Sequence, residues 1–164
     1  MYNKSGGWNR QKNCKIYQNG VWTDLWDGYY FREGEQYAGV TGGWTSTGWN
    51  NSGTVTLGST IVLSGDSTKT AIVGTAQTVD LTDANTLWFD SPKGNNGQPY
   101  GGYLCVTSAK SIATADIVTY AAINKSGKGN IDVSGLSGKY YICLYALAHT
   151  AGTAYADVSA VWME

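Results

Sequence analysis

Apolar and polar positions alternate in short runs along most of this chain, and no segment sustains a helical 3.6-residue period, so the pattern predicts strands. The clearest local signal is CKIYQNGVWTDLW, residues 14–26, where Asn19-Gly20 separates two alternating runs. Both central residues of a two-residue type I′ turn need positive φ, which Asn and Gly tolerate, so the stretch predicts a hairpin. Counting outward from the turn pairs Gln18 with Val21, Tyr17 with Trp22, Ile16 with Thr23 and Lys15 with Asp24. Beyond it, runs bounded by turn sequences such as SGD, KGNNG and KSGKGN predict strands at 55–65, 69–75, 78–81, 86–91, 101–108, 117–123, 130–135, 139–148 and 153–163. In KYYICLYALA both alternating sets are apolar, which predicts a central strand covered on both faces. LTDANTL has room for one helical turn at most. The expected fold is all-β: a two-layer antiparallel sandwich over 33–164, preceded by a hairpin segment over 1–32. Its expected core places Ile142, Leu144, Val158 and Trp162 against Leu81, Leu87, Phe89 and Leu104.

Composition narrows the function classes. The 164 residues suit one domain, and with 14% charged residues and a net charge of −1 there is no basic footprint for nucleic acid or an anionic membrane. The longest apolar run is too short to span a bilayer, so no membrane insertion is expected. The opening MYNKSGGWNR has no apolar signal-peptide core, which leads us to expect cytosolic synthesis. Cys14, Cys105 and Cys143 show no zinc spacing and are expected as free thiols, with a Cys105–Cys143 bridge as the alternative. Asn3, Asn50 and Asn124 stand in N-x-Ser sequons, a match that chance supplies in a chain rich in Asn, Ser and Thr.

Templates for catalysis are absent. His149 is the single histidine, no G-x-S-x-G or phosphate-binding loop occurs in context, and no two of Asp66, Asp80, Asp83, Asp90 and Asp116 stand out as a glycosidase pair. We therefore expect no enzyme and no catalytic residue. Asp80, Asp83 and Asp90 lie close enough in sequence to raise a structural calcium ion, the one cofactor considered. Without a D-x-D-x-D-G loop, however, turn capping is the expected use of these carboxylates.

Binding by aromatic side chains remains. TGGWTSTGWNNSG, residues 41–53, sets Trp44 and Trp49 among small polar residues, and SPKGNNGQPYGGY adds Tyr100 and Tyr103. Indole and phenol faces stack on the C–H face of a sugar while Asn50 and Asn51 could reach its hydroxyls, so these six residues form the candidate glycan site. The same composition also suits contacts between subunits. Trp44 and Trp49 are five positions apart, so in an extended chain they point to opposite faces. Trp44 is expected to pack on the sandwich and Trp49 to be the exposed platform.

Several of these segments carry a resemblance. VDLTDANTLWFD, NIDVSGLSGKYYICLYA, the terminal VWME, the hairpin KIYQNGVW and YAGVTGGW resemble β-sandwich modules in minor structural and tail proteins of phages and prophages of Gram-positive bacteria. The likeness spans roughly residues 12 to 164. It implies a jelly-roll or galactose-binding-like sandwich in a tail-tip, fibre or virion accessory protein, found in the virion or outside the cell. Other virion proteins, a host-surface glycan and further copies of the chain are the partners to expect. A purely structural virion subunit, or the carbohydrate-binding module of a secreted glycan-degrading enzyme, are the alternatives. The fold alone names no ligand.

Overall fold

The structure, a computed structural model, describes residues 43–58, 60–93, 101–148 and 152–164, and the backbone of four strands before them. Two of these, β1 (Lys15–Gln18) and β2 (Val21–Asp24), form a two-stranded sheet with Lys15 across from Asp24 and Tyr17 across from Trp22. That is the register the Asn-Gly signal predicts; Asn19 and Gly20 themselves lie outside the described residues.

The rest is a β-sandwich in which every strand pairing is antiparallel. The other early pair, β3 (Tyr29–Arg32) and β4 (Glu35–Gly39), belongs to it. One layer runs in the order β12 (Ile117–Ala122), β11 (Gly101–Thr107), β14 (Lys139–Leu147), β8 (Ala71–Thr75), β5 (Trp44–Thr45), with β9 (Val79–Asp80) on the start of β14. Opposite lie two sheets. The first is ordered β13 (Gly127–Asp132), β10 (Thr86–Ser91), β16 (Ala160–Met163), β4, β3; the second is β15 (Thr153–Val158), β7 (Ile61–Asp66), β6 (Thr54–Thr56). Because β4 pairs with β16, the boundary expected at 32/33 falls in the β3–β4 connection.

Leu63, Val73, Leu81, Leu87, Phe89, Leu104, Ile142, Leu144 and Val158 are buried together in the main core. All but Leu81, which follows the end of β9, are side chains that a strand sends inward. β14 is central, as its doubly apolar pattern predicts. Where β7 crosses β14 and β15 crosses β11, the chain uses glycine: a Cβ on Gly65 would collide with the Ala146 carbonyl, and one on Gly102 with the Tyr155 carbonyl.

Two predicted strands prove to be pairs of strands. Residues 55–65 fold into the β6–β7 hairpin, Val55 across from Leu63. Residues 153–163 break at Ser159, whose N–H donates to the Asp90 carbonyl at 2.9 Å. That one interrupting residue shifts the parity of everything after it. Val158 is buried, but the next inward residues are Val161 and Met163, and Trp162 faces outward, half-buried. The expectation of a core Trp162 is thereby corrected.

Candidate functional site

Residues 46–53 cover the edge of β8. β8 has only the two-residue β5 as its outer neighbour, so its outward backbone groups before Gly74 need other partners. The loop supplies them. The Asn51 side-chain oxygen accepts from the Ile72 N–H at 3.0 Å, the Ser52 hydroxyl accepts from the Thr70 N–H at 2.9 Å, and the N–H groups of Ser52 and Gly53 donate to the Thr70 carbonyl. Gly48 at φ 80° permits the reversal that brings Trp49 back over the sheet, and the Trp49 backbone N–H donates to the Ser46 carbonyl.

Trp49 is consequently buried, with 5% of its surface exposed. Its ring lies on Gly74, where any Cβ would collide with it, and packs with Ile72, Cys105 and Cys143. Tyr141 meets it edge-on, with ring centroids 6.0 Å apart. Trp49 as the exposed platform is therefore wrong: the hydrogen bonding of the loop to β8 folds the indole onto the layer's outer face. The expectation of opposite faces stands, because Trp44 packs against the main core while Trp49 packs outside the layer. Asn50 is exposed, whereas the Asn51 amide is committed to backbone. Tyr103 is half-buried above Gly101 and stacks on Tyr145 at 4.9 Å. Tyr100 lies outside the described residues. Of the residues proposed from sequence, Trp49 and Tyr103 join one cluster on the layer's outer face, whereas Trp44 packs against the main core.

Cys105 and Cys143 stand directly across from each other on β11 and β14 as buried free thiols. A hydrogen bond with Cys105, added to burial, pushes the Cys143 thiol well above its ordinary range, and burial does the same to the Tyr145 phenol. Such groups stay neutral and pack as hydrophobes. Cys14 and His149 lie outside the described residues.

An accessible aromatic surface exists elsewhere, on the outer face of the β13-β10-β16 sheet. Leu87 and Phe89 point inward, so Trp88 points out, and Trp162 stands directly across from it on β16. The two indoles are half-buried and nearly parallel, at 10° with centroids 6.1 Å apart. Charge and polarity ring them. The Trp88 Nε1–H donates to Glu164 Oε2 at 3.0 Å, the Lys128 ammonium sits 5.9 Å from the Trp162 ring centroid, and exposed Asn130 is across from Trp88. On the far side Trp162 faces Gly39, a residue with no side chain. The alternation of TLWFDS already turns Trp88 outward; its partnership with Trp162 is hidden behind the break at Ser159.

The carboxylates serve turns. In D-S-T, D-L-T and D-V-S, an Oδ1 of Asp66, Asp80 or Asp132 accepts from both the N–H and the hydroxyl two residues on, at 2.6–3.0 Å. These bonds lower all three carboxyl pKa values, the side-chain hydroxyl contributing most. Among the described residues no group of three or more His, Cys, Asp or Glu side chains is placed to hold a metal.

Fold and face together define an antiparallel β-sandwich with a paired-indole outer surface. No protein-family model matches the chain, and no curated protein is similar to it.

Proposed function

We propose that this chain is a non-enzymatic, tail-associated protein of a phage or prophage of a Gram-positive host, and that its sandwich holds host-surface glycan on the Trp88–Trp162 face. The observation that carries the glycan reading is the near-parallel indole pair, half-exposed on a sheet and ringed by Lys128, Asn130 and Glu164. Indole faces take the C–H face of a sugar ring, and charged or amide groups beside them reach hydroxyl or anionic substituents. The tail-associated context rests on the sequence resemblance of VDLTDANTLWFD and NIDVSGLSGKYYICLYA.

The test is a glycan array, together with purified Gram-positive cell-wall polysaccharides, probed with the wild-type chain and the Trp88→Ala/Trp162→Ala variant. Wild type should bind at least one surface glycan, and the variant should bind it about tenfold or more weakly, a loss of roughly 1.4 kcal/mol. Absence of wild-type binding, or binding unchanged in the variant, removes the glycan reading and favours a structural subunit.

A further inference from the structure

The two edges of the β12-β11-β14-β8-β5 layer are built differently. At the β5 end, loop 46–53 satisfies the outward backbone of β8 and lays Trp49 over the sheet. At the other end, no strand among the described residues pairs with the outer side of β12. We propose that this edge is where two copies of the chain join, their β12 strands pairing antiparallel about a twofold axis to continue the layer from one copy into the other.

The direction of the backbone groups supports this pairing. The Ile123 N–H donates to the Gly102 carbonyl at 2.7 Å, and Leu104 is across from Ala121. In an antiparallel ladder the groups facing one neighbour come from alternate residues. Thr119, Ala121 and Ile123 therefore bond to β11, and Tyr120 and Ala122 present their N–H and C=O groups outward. The register shift between Val106 and Thr107 sits at the amino end of β12, which leaves Thr119–Ala122 regular and centres the pair on Tyr120.

The side chains fit a second copy. Natural sheets protect free edges with Lys, Pro or charged side chains, yet residues 117–123 read IVTYAAI, without a charge or a proline. Val118 is 42% exposed and Tyr120 60%, both unusually open for apolar side chains of a strand. With Tyr120 across from its own copy, Val118 faces Ala122, so each side chain meets an apolar neighbour. The same register brings Asp116 of one copy to the Asn124–Lys125 end of the other, twice by symmetry, so the charges flanking the neutral strand are complementary. Half-buried Tyr103 stacks on Tyr145 and meets Tyr120 edge-on at 5.8 Å, which fixes the Tyr120 ring on the same outer face.

Sedimentation equilibrium of the full chain across the micromolar range tests the pairing, alongside Val118→Lys/Tyr120→Lys and Tyr120→Phe. Wild type and Tyr120→Phe should form a dimer. The double-lysine variant, altered only at exposed positions, should dissociate about tenfold or more readily. Amide exchange of the wild type offers a readout that needs no variant: protection at Tyr120 and Ala122 should rise with concentration. A wild type that stays monomeric, a dimer indifferent to the lysines, or open-ended growth in place of a closed pair would each overturn the proposal.

Discussion

Trp49 and the Trp88–Trp162 pair lie on the outer faces of opposite layers, and their surroundings give them different uses. Trp49 comes from a loop that hydrogen-bonds along β8, and it ends over a glycine, two thiols and an isoleucine that would otherwise meet water. Its indole Nε1 is buried with no hydrogen-bond partner among the described residues, an orphaned donor that typically costs about 1–3 kcal/mol. Burial of the ring outweighs that cost, which identifies the indole as a structural plug. Trp88 and Trp162 come from regular strands, keep part of their rings in solvent, and the Trp88 N–H is satisfied by Glu164. Aromatic content alone therefore does not mark a binding surface. What separates the two cases is whether the neighbouring backbone needs a cover.

The largest expected effect separates the two regions directly. Trp49→Ala should cost about 3–5 kcal/mol in urea unfolding, as for a buried aromatic, whereas Trp88→Ala should cost no more than about 1 kcal/mol, the scale of a cross-strand aromatic pair. Equal losses would make both faces structural. A smaller effect probes the seat of the plug. Gly74→Ala puts a methyl where the Trp49 ring lies and should destabilise by about 1–3 kcal/mol, but by far less when Trp49 is already alanine. Additive costs in that double variant would dissociate the glycine from the indole. The smallest effect is the acid limb of stability. Asp66, Asp80 and Asp132 have folded pKa values below the ordinary 3.8, so the stabilisation they contribute is present above that value and lost as pH falls through their lowered folded values. Replacing all three with Asn should flatten the fall in unfolding free energy below the ordinary carboxyl pKa while leaving the Trp49 and Trp88 contrast unchanged. An unaltered acid limb would show that these turns do not set it.

Much of this protein is legible from local chemistry. Asn19-Gly20 predicts the β1–β2 register that is found, because few other residue pairs tolerate positive φ twice in succession. KYYICLYALA determines a central strand because both of its faces are apolar, and TLWFDS determines that Leu87 and Phe89 go in and Trp88 goes out. Each of these is a property of a few consecutive residues. Tertiary structure decided the rest. Ser159 reads as one more polar residue in an alternating run, and only its bond to Asp90 in another strand reveals the break that turns Trp162 outward. TGGWTSTGWNNSG has the composition of an exposed loop, and only the short β5 beside β8 shows why it must fold back and bury Trp49. Side-chain direction within a strand follows from a two-residue period, but where that period is interrupted, and which edge is left to cover, depends on hydrogen bonds between segments far apart in the chain.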